Sequence, residues 1–363
     1  AGDDRTWAEV DTDNHAVFAE DQWAFLPAWI LTGGLRVDDN SRVGTNTSPR
    51  LALNWSDGAD AAALVSLSRG YRNPNLIESN IQEYYFASDP DLDAETISAI
   101  EVEWSQRSAH AGTTWSVNGF FNRSEDLIWA LPLPSATMQA NYNAWLGATP
   151  PASIDFTQQP GPFFQFANVD SPVHVLGAEI AGRHPFDLWP IALWGNATWQ
   201  RFRYQDPVVY RSAGFFDAAG VFTGGAPGQV FVMDTTLPED VNAPPELKAN
   251  LGCDLAWDRC FAQVVLRYVG ERTVFSFAAS NFSSGQLAVQ EVDDYLALDL
   301  GLGWDFSTRQ DRSAYLRLSV MDCFDTGHVE WYETTSARLT ADHEPQLTSE
   351  IGRMVTVEGR WTF

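Results

Sequence analysis

Residues 246–257 read Glu246-Leu247-Lys248-Ala249-Asn250-Leu251-Gly252-Cys253-Asp254-Leu255-Ala256-Trp257. Leu247, Ala249, Leu251, Cys253, Leu255 and Trp257 alternate with Glu246, Lys248, Asn250, Gly252, Asp254 and Ala256. A period of two sends successive side chains to opposite faces of a β-strand, so this strand has one apolar and one wet face. Residues 295–306 repeat the pattern: Leu296, Leu298, Leu300, Leu302, Trp304 and Phe306 share a face, and Asp299, Gly301, Gly303 and Asp305 share the other. About 9 to 11 residues in a tilted strand cross a bilayer, and both stretches are long enough to do so.

The reading extends outward from these two. Leu51, Leu53 and Trp55 alternate with polar or small residues; Ile100, Val102 and Trp104 stand opposite Glu101 and Glu103; Trp115, Val117 and Phe121 stand opposite Ser116, Asn118 and Asn122. Weaker alternation covers 29–37, 65–71, 176–180, 191–199, 264–268 and 316–320. With an opening segment at 15–23 and a closing one at 354–363 the chain predicts about 13 strands. The connections alternate between short ones, near 25–28, 56–61, 110–112, 185–188, 257–260 and 307–312, and long ones, near 39–47, 73–95, 132–165, 205–242, 272–293 and 325–351. In a meander this places every short turn at one rim and every long loop at the other. The expected fold is all-β, a transmembrane antiparallel up-and-down β-barrel with short periplasmic turns and long extracellular loops. Trp257, Trp304, Phe306, Trp361 and Phe363 gather near strand ends, as an interfacial aromatic girdle requires. A soluble sandwich or propeller is the competing architecture, but blade repeats are absent and every second connection is long.

Composition agrees. Hydrophobic residues are 45% and aromatics 13% of the chain, with 15 Trp, yet mean hydropathy is −0.21, so apolar and polar positions are finely interleaved. No run approaches the roughly 18 consecutive apolar residues of a membrane-spanning helix, and the opening residues lack the basic-then-apolar pattern of a secretion signal. A net charge of −26 argues against nucleic acid as a partner. Cys253, Cys260 and Cys323 fit no disulfide framework and no zinc spacing, although Cys253 and Cys260 are close enough in a hairpin to face each other. The six histidines are scattered, so no metal site and no cofactor are expected. Gly-x-Ser-x-Gly, His-Glu-x-x-His and phosphate-binding glycine loops are missing, and the chain does not read as an enzyme. The glycines of Gly301-Leu302-Gly303 read as relief of crowding inside a barrel.

Several segments resemble TonB-dependent outer-membrane receptors. Ala19-Glu20-Asp21-Gln22-Trp23 followed by Leu31-Thr32-Gly33-Gly34-Leu35-Arg36-Val37-Asp38 is similar to that family's paired strands ending in G-L-R-Y-D, with Val37 in place of Tyr. Ser48-Pro49-Arg50-Leu51-Ala52-Leu53-Asn54-Trp55 resembles its next strand, and Gly70-Tyr71-Arg72-Asn73-Pro74-Asn75-Leu76 resembles the G-Y-R-A-P-N-L segment that opens an extracellular loop. Residues 101–104 and 118–128, Asn168-Val169, and Gly177-Ala178-Glu179 follow in the family's order. Met321-Asp322-Cys323-Phe324-Asp325 resembles N-L-F-D, departing at Asp322 and Cys323. Val355, Val357, Gly359, Trp361 and Phe363 look like the signature read by the barrel-assembly machinery.

The resemblance implies the C-terminal part of a receptor barrel, spanning residues 1–363, in the bacterial outer membrane. Such barrels have about 22 strands around a plugged lumen. About 13 leave the plug, its contact with the TonB–ExbB–ExbD complex and the N-terminal strands to be supplied elsewhere, either because the chain is a fragment or because another polypeptide completes it. An import function follows for a scarce nutrient, with an iron–siderophore complex as the default ligand; cobalamin, an oligosaccharide, a passive porin and a barrel subunit of a surface complex are the alternatives. The partners implied are outer-membrane lipid and a small-molecule ligand. The candidate ligand contacts are the loop aromatics Tyr84, Tyr85, Tyr142 and Trp145, which can stack on a ligand or pack the loops. Inward charges such as Glu101, Glu103, Glu179, Lys248, Asp254, Asp299, Arg317, Glu358 and Arg360 read as a hydrated wall facing a plug.

Overall fold

The stretch 247–257 forms an 11-residue strand flanked on both sides by antiparallel neighbours. The structure is a computed structural model that describes residues 11–80, 86–87, 89, 91–108, 112–133, 163–207, 209–215, 230–236, 239–240, 243–281, 286–306, 314–331 and 349–361. Thirteen strands form one sheet. They are β1 (Asn14–Leu26), β2 (Trp29–Asn40), β3 (Gly44–Ser56), β4 (Ala61–Arg72), β5 (Glu95–Arg107) and β6 (Thr114–Glu125). The sheet continues with β7 (Val173–Pro185), β8 (Ile191–Tyr204), β9 (Leu247–Trp257), β10 (Cys260–Val269), β11 (Tyr295–Asp305), β12 (Ala314–Met321) and β13 (Met354–Trp361). Spatial order equals chain order, which is the up-and-down meander expected.

Ladder register aligns the apolar faces. Leu51 pairs with Leu67, Leu67 with Ile100, Ile100 with Phe121, and Phe121 with Leu176. Further along, Leu251 pairs with Leu266, Leu266 with Leu298, and Leu302 with Leu318. These rows are not buried in a core. Leu251 is 61% exposed, Leu302 58% and Val357 67%, while the buried apolar set is small and dominated by Ala and Val. A continuous apolar wall of this extent suits lipid and not water. Near the short turns, Trp55 stacks on Trp104 at 5.5 Å and lies 6.4 Å from Trp29, and Trp304 stacks on Phe306 at 6.2 Å, so the predicted aromatic girdle is present. Trp361 faces outward on β13, opposite Ala314.

On the other face the glycines have a use. Phe120, Trp194 and Phe261 each lie flat over the glycine directly opposite, Gly177, Gly252 and Gly303. A Cβ at Gly303 would sit 1.9 Å from Phe261 Cζ, and one at Gly252 would sit 2.1 Å from Trp194 Cε2, so no other residue fits under these rings.

The turn rim is locally determined. In the β3–β4 turn, Asp57 Oδ1 accepts N–H bonds from Ala59, Asp60 and Ala61 at 2.9 Å each, and Gly58 takes φ +79°. The β9–β10 turn is Asp258-Arg259, with Asp258 at φ +50°. Trp257 therefore pairs with Cys260, and Cys253 pairs with Val264 four rungs further along. The disulfide reading of Cys253 and Cys260 fails for this reason, and all three cysteines are free.

One connection expected to be long is short. β2 and β3 run on through the supposed loop at 39–47 and close in a tight turn of Ser41, Arg42 and Val43. Asn40 Oδ1 accepts the N–H groups of Arg42 and Val43, and Gly44 takes φ +74°, so polar residues that resemble a loop form a capped hairpin. The remaining long connections carry structure of their own. A short helix, Leu76–Asn80, follows β4. Val209–Phe215 pairs with Val230–Thr236, Arg272–Asn281 with Gln286–Val292, and His328–Trp331 with Ser349–Ile351. Phe163–Asn168 lies between Phe86–Ala87 and Ile128–Leu133 in a small three-stranded sheet.

Among the described residues β1 pairs only with β2, and β13 only with β12, so the sheet has two open edges.

Candidate functional site

At the loop rim the end of β4, the start of β5 and the short helix converge on one guanidinium. Arg72 Nε donates to Glu95 Oε2 at 2.5 Å, while Nη1 and Nη2 donate to the two carboxylate oxygens of Glu78 at 2.8 and 3.1 Å. Glu78 also closes a capping box: its N–H donates to Asn75 Oδ1 at 2.9 Å and its Oε2 accepts the Asn75 N–H at 2.8 Å. Glu95 Oε1 accepts the N–H of Ile128 at 2.7 Å, which ties the next loop to the same cluster. Asn168 extends the tie, donating to Asp126 O at 2.7 Å and accepting the Asp93 N–H at 2.9 Å. Glu95 and Glu78 are shielded, with side chains 17% and 12% exposed, whereas Arg72 is 44% exposed.

The electrostatics follow from this geometry. Burial pushes Glu95 up, but hydrogen bonds from Arg72 and the Ile128 N–H, together with the Arg72 charge, outweigh it and leave the carboxyl below its ordinary range. The bond to Glu95, and then that to Glu78, raise Arg72, so its charge is permanent at any biological pH. Asp38 makes a second ion pair at this rim: its carboxylate is 1% exposed and accepts from the half-exposed Arg36, Nε at 2.8 Å and Nη2 at 2.6 Å.

Beside the helix is a cavity of about 540 Å³ lined by Asn40, Arg42, Asn73, Asn75, Ser79 and Leu92, among others. Arg42, one of the lining residues, donates from Nη2 to Asn80 Oδ1 at 3.3 Å. Asn73 Oδ1 is buried there without a hydrogen-bond partner among the described residues. The lining mixes these polar side chains with Val43, Pro74 and Leu76, and Arg42 is its one charged residue.

The inward face is polar, as expected from the sequence. Asp254 accepts from Arg183 at 2.7 Å, Trp194 at 3.1 Å and Gln263 at 3.0 Å, linking four strands. Glu101 accepts from Ser66, Glu179 from Thr198, Arg317 donates to Gln263, and Tyr315 donates to Glu358. Asp299 accepts the Asp322 N–H at 2.8 Å and lies 3.7 Å from Arg267. Lys248 and Arg360 face the same way by register.

Tyr84, Tyr85, Tyr142 and Trp145, and the terminal Phe363, lie outside the described residues. The Arg72–Glu78–Glu95 cluster was missed in the sequence, although Asn75 followed three residues later by Glu78 is a legible capping box. Among the described residues no His, Cys, Asp and Glu cluster could hold a metal.

The family described as "TonB dependent receptor-like, beta-barrel" matches residues 1–320. The chain belongs to the TonB-dependent receptor family. It is therefore an outer-membrane protein of a family of transport receptors and not of enzymes. It is 30% identical over 127 residues to the ferrienterobactin receptor of Escherichia coli (strain K12), covering 30% of this chain and 17% of that one. It is 29% identical over 171 residues to an iron-regulated outer membrane virulence protein of Vibrio cholerae, covering 43% and 26%. The vitamin B12 transporter BtuB of Vibrio cholerae is 26% identical over 153 residues, covering 42% and 23%. In solved structures the wall resembles the copper transporter OprC, with a TM-score of 0.64 at 13% identity over 97% of this chain and 47% of that one. The matched region is thus under half the length of each of these receptors.

Proposed function

We propose that this chain forms the distal wall of an energised importer that captures a ferric siderophore at its loop rim and admits it along a hydrated lumen. One observation carries the reading: the wall is apolar outside and polar inside, and its elaborated connections leave from a single rim, where Arg72 anchors the connection after β4 and, through Glu95, the connection after β6. A ligand captured at that rim meets an inward face of fixed polar groups. The names of two relatives, a ferrienterobactin receptor and an iron-regulated virulence protein, favour iron over cobalamin or copper.

Open edges in lipid leave N–H and C=O groups unpaired at several kcal/mol each. The free sides of β1 and β13 therefore ask for further strands, about nine for a barrel of about 22, from this polypeptide or a partner chain. A plug within the completed barrel would couple the receptor to TonB, ExbB and ExbD.

The test uses the complete receptor with a ferric catecholate siderophore, cobalamin and Cu(II) offered separately. Binding of the ferric siderophore is expected, with uptake abolished when the proton-motive force is collapsed. Replacing Tyr84, Tyr85, Tyr142 and Trp145 together by Ala should weaken that binding at least tenfold, about 1.4 kcal/mol, with heat-modifiable mobility unchanged. Preference for cobalamin or Cu(II) overturns the ligand, uptake without energy overturns the importer, and unchanged affinity in the four-residue variant overturns the aromatic site.

A further inference from the structure

The outward face carries a feature that import does not use. Arg69 on β4 pairs with Ser98 on β5, Ser98 with Arg123 on β6, Arg123 with His174 on β7, and His174 with Arg203 on β8. All five positions lie on the apolar side of the alternation, at the loop ends of their strands. Arg201 faces out one row nearer the turns, opposite Leu176. These four arginines are the outward Lys and Arg of the thirteen strands; the others, such as Arg50, Lys248 and Arg317, turn inward with the polar set. In a chain of net charge −26, the outward cations are thus gathered on five adjacent strands.

Directly below runs the apolar row Leu67, Ile100, Phe121 and Leu176. An outward groove of about 390 Å³ has Leu51, Leu67, Ile100 and Phe121 along its floor and Arg69 and Arg123 at its upper rim. The Phe121 ring rests against His174 at 5.5 Å. Neighbouring strands are about 4.8 Å apart, so Arg69 and Arg123, and then Arg123 and Arg203, are separated by about 10 Å. One phosphate cannot bridge such a span, whereas two phosphates on a disaccharide can.

The counter-charges on the protein are few. Arg123 contacts Glu125 at 2.8 Å and Arg203 contacts Glu239 at 3.6 Å, and all four side chains are at least one-third exposed. Arg69 and Arg201 make no ion pair among the described residues. Asp126, on the loop above, feels Arg69 but is raised overall, by burial and then by the charges of Asp93, Glu125 and Asp170.

An arginine facing hydrocarbon is costly at mid-bilayer and tolerated only near the interface, so this row marks where hydrocarbon gives way to headgroups on the loop side. Guanidinium forks grip phosphate with two parallel N–H bonds, and basic surfaces at the membrane boundary recruit anionic headgroups. We propose that Arg69, Arg123 and Arg203 bind the phosphorylated disaccharide headgroup of an outer-leaflet glycolipid of the lipid A type, with one acyl chain in the groove over Leu67, Ile100 and Phe121. This site lies on the outside of the wall and is independent of the imported ligand.

The test offers the complete, detergent-purified receptor bisphosphorylated lipid A, the same lipid with both phosphates removed, and inorganic phosphate. The phosphorylated lipid should bind at least tenfold more tightly than the dephosphorylated one, and millimolar inorganic phosphate should not displace it. The triple variant Arg69→Gln, Arg123→Gln, Arg203→Gln should erase that preference, while the triple Arg→Lys variant should keep most of it, both with unchanged siderophore binding. Wild-type affinity in the Gln variant overturns the proposal, and displacement by inorganic phosphate makes the row a free-anion site. Should the Gln variant fail to assemble, equal affinity of the unmodified receptor for both lipids overturns the proposal alone.

Discussion

At the turn rim Asp57 is satisfied by N–H groups two, three and four residues ahead of it, whereas at the loop rim Glu95 is held by Arg72 and Ile128, 23 and 33 residues away. Both carboxylates do the same chemical work, accepting several hydrogen bonds while ionised. The turn closes with its own residues and needs nothing from the rest of the sheet. The loop anchor exists only once β4, β5 and the connection after β6 are assembled. Local closure gives a register that survives damage elsewhere, and long-range closure gives a rim whose order depends on the wall beneath it.

The strongest challenge to this contrast lies between the rims, where neither should matter. Leu298→Arg places a charge on the outward face mid-strand, opposite Leu266, and should destabilise the barrel by about 2 to 4 kcal/mol. Asp299→Asn, one residue along and facing in, keeps an acceptor for the Asp322 N–H and should change little. Denaturant titration of the two variants in detergent should separate them, and equal effects would show that the assigned faces are wrong.

Arg72→Ala comes next in size. Two shielded carboxylates each lose their charged hydrogen-bond donor and keep only a backbone N–H, which should cost about 1 to 3 kcal/mol, confined to the loop rim. Hydrogen exchange should accelerate across the helix Leu76–Asn80 and at the Ile128 amide, with β1 to β3 and the β9–β10 hairpin unchanged. Exchange rising throughout the sheet would mean that the cluster is part of the wall and not of the loop.

Gly58→Ala should be smaller, about 1 kcal/mol, because φ +79° disfavours any Cβ although space around it is open. Its effect should stay within the β3–β4 hairpin.

Acidification is the gentlest probe. Hydrogen bonds from Ala61 and Ala59 hold Asp57 below the usual carboxylate range, and Glu95 is also depressed. A depressed folded-state value means that each group stabilises the fold above its unfolded pKa, near 4, and that this stabilisation fades as pH falls through the folded-state value. Protection of the Ala59, Asp60 and Ala61 amides and of Ile128 should therefore decline together below about pH 4. A decline near neutral pH would contradict both assignments.

The same contrast explains what could be read in the sequence. Alternation exposed the strands and their faces because side-chain period and burial act on neighbouring residues; every inward charge expected from Glu101 to Arg360 lies on the inward face. The β2–β3 turn is not legible in the sequence because Asn40 caps amides through its side chain, and a run of Asp, Asn, Ser and Thr signals loop and capped turn alike. Loop hairpins such as Val209–Phe215 with Val230–Thr236 were not foreseen, since their partners are far apart in the chain and their alternation is short. The clustering of Arg69, Arg123 and Arg203 is invisible in the sequence for the same reason: these residues become neighbours only through the ladders of β4 to β8.

The rings lying over Gly177, Gly252 and Gly303 have a consequence for how this wall evolves. Each pair joins a large residue on one strand to the absence of a side chain on the next, and the two together set the clearance of the bore at that height. Replacing the glycine alone would swing the ring into the passage, and replacing the ring alone would leave a dent. Descendants of this chain should therefore change Phe120 with Gly177, Trp194 with Gly252 and Phe261 with Gly303 as linked couples, so that inheritance at one position is conditional on the other.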